Sequence, residues 1–193
     1  MFIILLIHLA AIGRIGQQVE QEQANQHHGE GDQGGHAPHQ CRWLTQRDAG
    51  RIGVASQSLG VMSAAFEEAV KYAHQRQAFG QPLAKIQAIQ FKLAEMATKV
   101  EASHSLMVNA ARLKDMGKRN DVEAGMAKLL ASEYCAEITQ ESFRIHGGYG
   151  YSKEYEIERL MRDAPFLLIG EGTSEIQRLV IARALAKRGL DGM

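Results

Sequence analysis

The chain has 193 residues, 45% of them hydrophobic, enough for one domain with a packed core or a smaller one with a tail. Its 22 Lys and Arg balance its 22 Asp and Glu, so no net field favours nucleic acid or an anionic membrane surface. The two cysteines, Cys41 and Cys135, form no CxxC pair, which fits a reducing compartment rather than a disulfide framework, and a cytoplasmic location is expected.

The opening "MFIILLIHLAAIG" is apolar over about a dozen residues, short of the ~20 that a membrane span needs. It lacks the basic start and small-residue cleavage site of an export signal. Residues 17–41, rich in Gln, Gly and His, bury too little apolar area to offset their ordering entropy. His27, His28, His36, His39 and Cys41 could take a transition metal, but their spacing matches no closed site. Residues 1–47 are therefore expected to be a disordered segment outside the fold, and no metal site is expected.

From Asp48 the pattern turns helical. Ile52, Ala55, Leu59, Met62, Phe66, Ala69 and Ala73 step by three and four along one face. "FGQPL", residues 79–83, interrupts it with Gly and Pro. Ile86, Ile89, Leu93, Met96 and Val100 open a second stripe, resumed by Met107 and Ala110 and ended near Gly117. Asn120 and Glu123 have capping-box spacing for a third helix, whose stripe runs through Ala127, Leu130, Tyr134 and Ile138 to Ile145. A short helix over 153–163 and a last one over 173–188 follow. In the last, Ser174 and Gln177 have capping-box spacing, and Ile176, Leu179, Val180 and Ala184 are expected to face inward. Long helices with short links pack as antiparallel neighbours, so the expected fold is all-α: an up-and-down four-helix bundle with an extra short helix, preceded by a disordered N-terminal segment.

Three stretches could carry chemistry. Glu171 sits between Gly170 and Gly172, which let a carboxylate project from a tight turn. The following helix start favours its ionised form, while the apolar run "FLLI" at 166–169 would push its pKa up. Such a carboxylate suits a general base, or merely complements the helix dipole. Arg76 beside the Gly-Pro turn could clamp a phosphate or pair with a surface acid. "RIHGGYG", residues 144–150, could cradle a cofactor on its backbone amides or simply cap a helix, with His146 structural.

In this order, on this helical pattern, those stretches resemble the C-terminal helical domain of the acyl-CoA dehydrogenase family over residues 48–190. The similarity is carried by "DAGRIGVASQSLGVMSAAFEEAVKYAHQRQAFGQPL", "IQAIQFKLAEMA", "FRIHGGYGY", "RLMRDAP" and "EGTSEIQRLVIAR". It implies an FAD-dependent α,β-dehydrogenation of an acyl-CoA thioester, with Glu171 as catalytic base. It implies FAD contacts from Arg76, Arg144, Gly147 and Gly148, given across a subunit interface, and from Gln87, Thr173, Ser174 and Glu175. Asp48, Arg51 and Gly172 would face the substrate. An electron-transfer flavoprotein or similar acceptor and a homodimer or homotetramer are also implied.

Two departures from the family pattern stand out. Gly170 replaces the aromatic residue that many relatives carry, leaving room for a branched or cyclic acyl group. Residues 1–47 match neither the helical nor the β-barrel domain that precedes the family's bundle, as a truncated or frameshifted reading frame would leave them. Weak or absent FAD binding by this chain alone is therefore expected. The alternative function is a non-catalytic helical oligomerisation module or remnant of such an enzyme.

Overall fold

In a computed structural model the described residues are 39–188, with side chains from 48 to 187. The readings made above for residues 1–38, and for the side chains of His39 and Cys41, lie outside these. Five helices account for nearly all of the described chain: α1 (His39–Gln75), α2 (Gln87–Asp115), α3 (Asp121–His146), α4 (Glu156–Ile169) and α5 (Ser174–Arg188). Among the described residues the strands are β1 (Gln77–Ala78) and β2 (Gln81–Pro82), paired antiparallel around Phe79 and Gly80. Both turn residues have positive φ, 54° and 76°, as a tight two-residue hairpin requires. The fold is thus the expected four long helices plus a short one. Contacts divide the chain into residues 1–46 and 47–193, and the bundle belongs to the second unit.

α3 is the central helix and packs against α2, α4 and α5. Small residues let helices approach closely: Ala65, Ala69, Ala73, Ala124, Ala127 and Ala131 are all fully buried. Across α1 and α3 the Ser142 hydroxyl donates to the Ala65 main-chain oxygen at 2.7 Å. α2 stops as its glycine suggests. Gly117 has φ 65°, its N–H donates to Lys114 O, and the Lys118 N–H donates to Leu113 O, a Schellman closure.

Four local expectations are corrected. α1 begins at His39 rather than Asp48. α4 runs past Pro165 to Ile169, so residues 166–169 are its last turn, with Leu167 buried and Phe166 and Ile169 exposed. Asn120 makes no capping-box bond, because its amide donates instead to Ala110 O at the end of α2. On α5, Ile176 and Leu179 are exposed, whereas Gln177 is fully buried and Ala184 nearly so. The cap of α5 is Thr173, whose hydroxyl accepts from the Ile176 N–H at 3.4 Å.

Candidate active site

The turn between α4 and α5 presents Glu171 as an exposed side chain. Gly170 has an ordinary φ of −56°. The left-handed residues are Glu171 itself, φ 53°, and Gly172, φ 95°. A non-glycine residue in that region is uncommon and costs free energy, so its surroundings must hold it. They do so from α5: buried Gln177 donates Nε2–H bonds to the main-chain oxygens of Glu171 (3.0 Å) and Gly172 (3.1 Å). From α3, fully buried Lys128 donates to Leu168 O at 3.0 Å, satisfying a carbonyl at the end of α4. Burial pushes the Lys128 ammonium pKa down, against the pull of Glu133 and Glu175. The apolar residues 166–169 are the last turn of α4, with Leu167 buried and Phe166 and Ile169 exposed beside the turn that carries Glu171.

The Glu171 carboxylate lies over α1 at Gly50, which leaves room for it. Flanking Gly50 on α1, buried Asp48 and partly buried Arg51 form an ion pair at 2.8 Å, and Arg51 Nε is buried with no hydrogen-bond partner among the described residues. Burial pushes the Asp48 carboxyl pKa up, against the pull of Arg51. The start of α5 adds Thr173, engaged as cap, and Ser174, whose buried Oγ has no partner among the described residues. Glu175 is exposed, and its own backbone N–H and the Thr173 hydroxyl hold its carboxyl below the usual range. That helix start therefore already carries an acid.

Arg76 and the 144–148 loop meet at the other end of α1. A cleft of about 440 Å³ is lined by Tyr72, Arg76, Leu83, Ile145 and His146 together with Gly147, Gly148 and Tyr149. Arg76 is exposed and lies 5.7 Å from the Tyr149 ring centroid, not against an acid among the described residues. His146 is buried and stacked on Tyr72, its Nδ1 bonded to Ser142 O and its Nε2 without a partner among the described residues. Gly147 needs glycine for its φ of 60°. Gly148 needs it neither for φ nor for packing, because a Cβ there would meet nothing within 4 Å. A ligand laid against the bare backbone would use that space, and a ring nitrogen and a guanidinium that no acid among the described residues engages suit phosphate and polar groups.

Arg144 points elsewhere: it is exposed and donates to Glu141 at 2.8 Å. Burial would raise the Glu141 pKa, but Lys92 and Arg144 outweigh it and hold the carboxyl low. Gln87 is the exposed first residue of α2 and does not line the cleft. Cys135 is buried and its thiol pKa is pushed up to about 12 by desolvation, which leaves it unreactive. Among the described residues no three His, Cys, Asp or Glu cluster as a metal site.

A sequence profile described as "Acyl-CoA dehydrogenase, C-terminal domain" matches residues 43–186. The chain belongs to the acyl-CoA dehydrogenase family. It is 56% identical over 138 residues to a 3-(aryl)acrylate reductase of Clostridium sporogenes, covering 72% of this chain and 37% of that protein. It is also 56% identical over 140 residues to the mitochondrial short-chain specific acyl-CoA dehydrogenase of Bos taurus, covering 72% and 34%. The structure of butyryl-CoA dehydrogenase from Megasphaera elsdenii superposes with a TM-score of 0.73 at 48% identity, covering 74% of this chain and 37% of that one. The chain thus spans little more than a third of the length of these acyl-CoA dehydrogenase relatives. No helix among the described residues is long and apolar enough to cross a membrane.

Gly50, Lys128 and Gln177 were not legible as parts of the Glu171 site. A lone lysine amid the buried alanines of α3 was the available signal for Lys128. Gln177 was legible only as a capping partner, a role that its side chain does not take.

Proposed function

We propose that this bundle is the base-bearing domain of an FAD-dependent oxidoreductase that dehydrogenates an acyl-CoA thioester between Cα and Cβ. The observation that carries the reading is an exposed glutamate held in a left-handed turn by two hydrogen bonds from the buried Gln177 side chain. Glu171 accepts the Cα proton of the thioester. Bound FAD supplies the hydride acceptor for Cβ. The Glu171 backbone N–H stabilises the carbonyl oxygen as charge develops on it. Gly172 lets the thioester approach the main chain, and Asp48 and Arg51 stand on the side where the CoA portion enters.

This reading includes a second copy of the chain, because the two sets of expected cofactor residues lie at opposite ends of α1. Gly50 and Tyr72 lie about 22 residues apart on one helix, about 33 Å at ~1.5 Å per residue. On this reading Arg76, Gly147 and Gly148 serve the cofactor of a neighbour while Thr173, Ser174 and Glu175 serve their own; Arg144 joins the first group only by leaving Glu141, and Gln87 only by reaching in from outside the cleft. A homodimer or homotetramer satisfies this, with an electron-transferring flavoprotein or similar protein as acceptor. The ring of Phe166 lies 3.6 Å from where a Gly170 Cβ would stand, so it lines the space left for a branched or cyclic acyl group.

A second reading, an oligomerisation module without catalysis, is favoured by Phe79 and Phe91, exposed at 94% and 59% on the hairpin and α2. Joining residues 48–188 to the two upstream domains of a short-chain relative separates the readings. Anaerobic titration with straight, branched and cyclic acyl-CoAs should bleach the bound flavin. A flavin-loaded protein that no thioester bleaches leaves only the module.

A further inference from the structure

Gln177 is fully buried, yet its side-chain amide bonds to the preceding turn rather than to its own helix. α5 is started by Thr173, which accepts from the Ile176 N–H through Oγ1 and from the Gln177 N–H through its main-chain oxygen. The Gln177 side chain reaches back to the turn and donates to both of its left-handed residues, Glu171 and Gly172. Its orientation follows from chemistry, because the flipped amide would set Oε1 against two carbonyl oxygens. Oε1 is left buried without a partner among the described residues, a cost that a leucine of similar volume would avoid. What the glutamine adds is therefore the pair of donors on the turn. Gly172 is shaped to receive them, since a Cβ there would stand 2.9 Å from Gln177 Nε2.

We propose that Gln177 is the positioning residue of the Glu171 turn, locking the left-handed backbone that lays the carboxylate over Gly50. Its catalytic consequence rests on the reading of Glu171 as a base, whereas the lock itself does not. A left-handed glutamate persists only where its surroundings over-determine it, and these two hydrogen bonds are the constraint. Without them the turn relaxes and the carboxylate samples other positions.

The test uses the full chain, with NMR amide order parameters and the backbone shifts and HN–Hα coupling of Glu171 that report its φ. In the unsubstituted protein Glu171 and Gly172 should have order parameters near ~0.85, as rigid backbone does. Gln177→Leu should drop both below ~0.6 and move the Glu171 shifts out of the left-handed range, with α3 unchanged. Gln177→Glu should behave likewise at neutral pH and recover on acidification, when the protonated carboxyl regains one donor. That comparison decides the matter within one variant if the leucine protein fails to fold. The proposal is overturned by an unsubstituted turn that is already mobile, or by unchanged turn parameters in Gln177→Leu. Equal loss through α3 and α5, or a Gln177→Glu protein with no pH-dependent recovery, would overturn it too. None of these outcomes depends on whether Glu171 is the base, which a Glu171→Gln protein decides separately.

Discussion

The carboxylate of Glu171 rests on the bare α-carbon of Gly50: a Cβ built at Gly50 would meet Glu171 Cδ and Oε2 at 2.7 Å. Something must move if that Cβ is added, and the carboxylate, at the free end of a flexible side chain, moves most cheaply. Gly50→Ala should therefore leave the melting temperature equal or higher, since alanine gains up to ~1 kcal/mol over glycine inside a helix. In a flavin-loaded protein containing this bundle it should slow flavin reduction by acyl-CoA at least ~10-fold, because small displacements of a reacting group are expensive. Stopped-flow absorbance beside a thermal melt reads both quantities. Unaltered reduction kinetics would remove Gly50 from the site.

The two glycines that bracket Glu171 should respond differently. Gly172→Ala places a side chain at φ 95° and 2.9 Å from Gln177 Nε2, and should cost about 1–3 kcal/mol. Gly170→Ala keeps an ordinary φ with its nearest neighbours at 3.6 Å, and should fall within ~0.5 kcal/mol of the original. Denaturant midpoints of the two variants give the comparison, and equal midpoints would contradict the turn geometry.

Lys128 makes stability depend on alkaline pH. Burial holds its folded-state pKa below the ordinary lysine value of 10.5, so the unfolded chain binds the proton more tightly. Stability should then rise with pH between the lowered folded pKa and 10.5, where the unfolded state carries more protons. Lys128→Met removes the titration along with the hydrogen bond to Leu168 O. The gap in melting temperature between the original protein and Lys128→Met should widen in favour of the original as pH climbs from neutral toward 10.5. A gap independent of pH would show that the buried amine does not titrate differently on folding.

How much of this was legible in the sequence differs from element to element. The α1 stripe from Ala55 to Ala73 is buried nearly as its spacing implies, because a long helix on a central partner averages out local exceptions. The Gly117 closure was also legible, since few other residues adopt φ 65° so readily. α5 was not: Ile176 and Leu179 share a helical face, but that face is exposed at 46% and 42%, while α3 meets the one bearing Gln177. Hydrophobic periodicity finds an apolar stripe without telling which stripe the neighbour covers. At the turn, the glycines beside Glu171 signalled an unusual backbone, but the left-handed angle falls on the glutamate and on Gly172 rather than on Gly170. That displacement comes from Gln177, six residues on, and from Lys128 on another helix, contacts that exist only once the bundle has formed.

The measurement that bears most directly on the account is exchange of the thioester α-proton with solvent deuterium. The protein would join residues 48–188 to the upstream domains of a short-chain relative. With Glu171 intact, a bound acyl-CoA analogue that cannot be dehydrogenated should exchange its Cα hydrogen for deuterium by mass spectrometry. Glu171→Gln should slow this by about 10²–10⁴-fold, the usual contribution of a positioned base, while flavin uptake and analogue binding persist. Exchange that continues at the original rate in Glu171→Gln would contradict the account, because the proton would then be leaving to some other group.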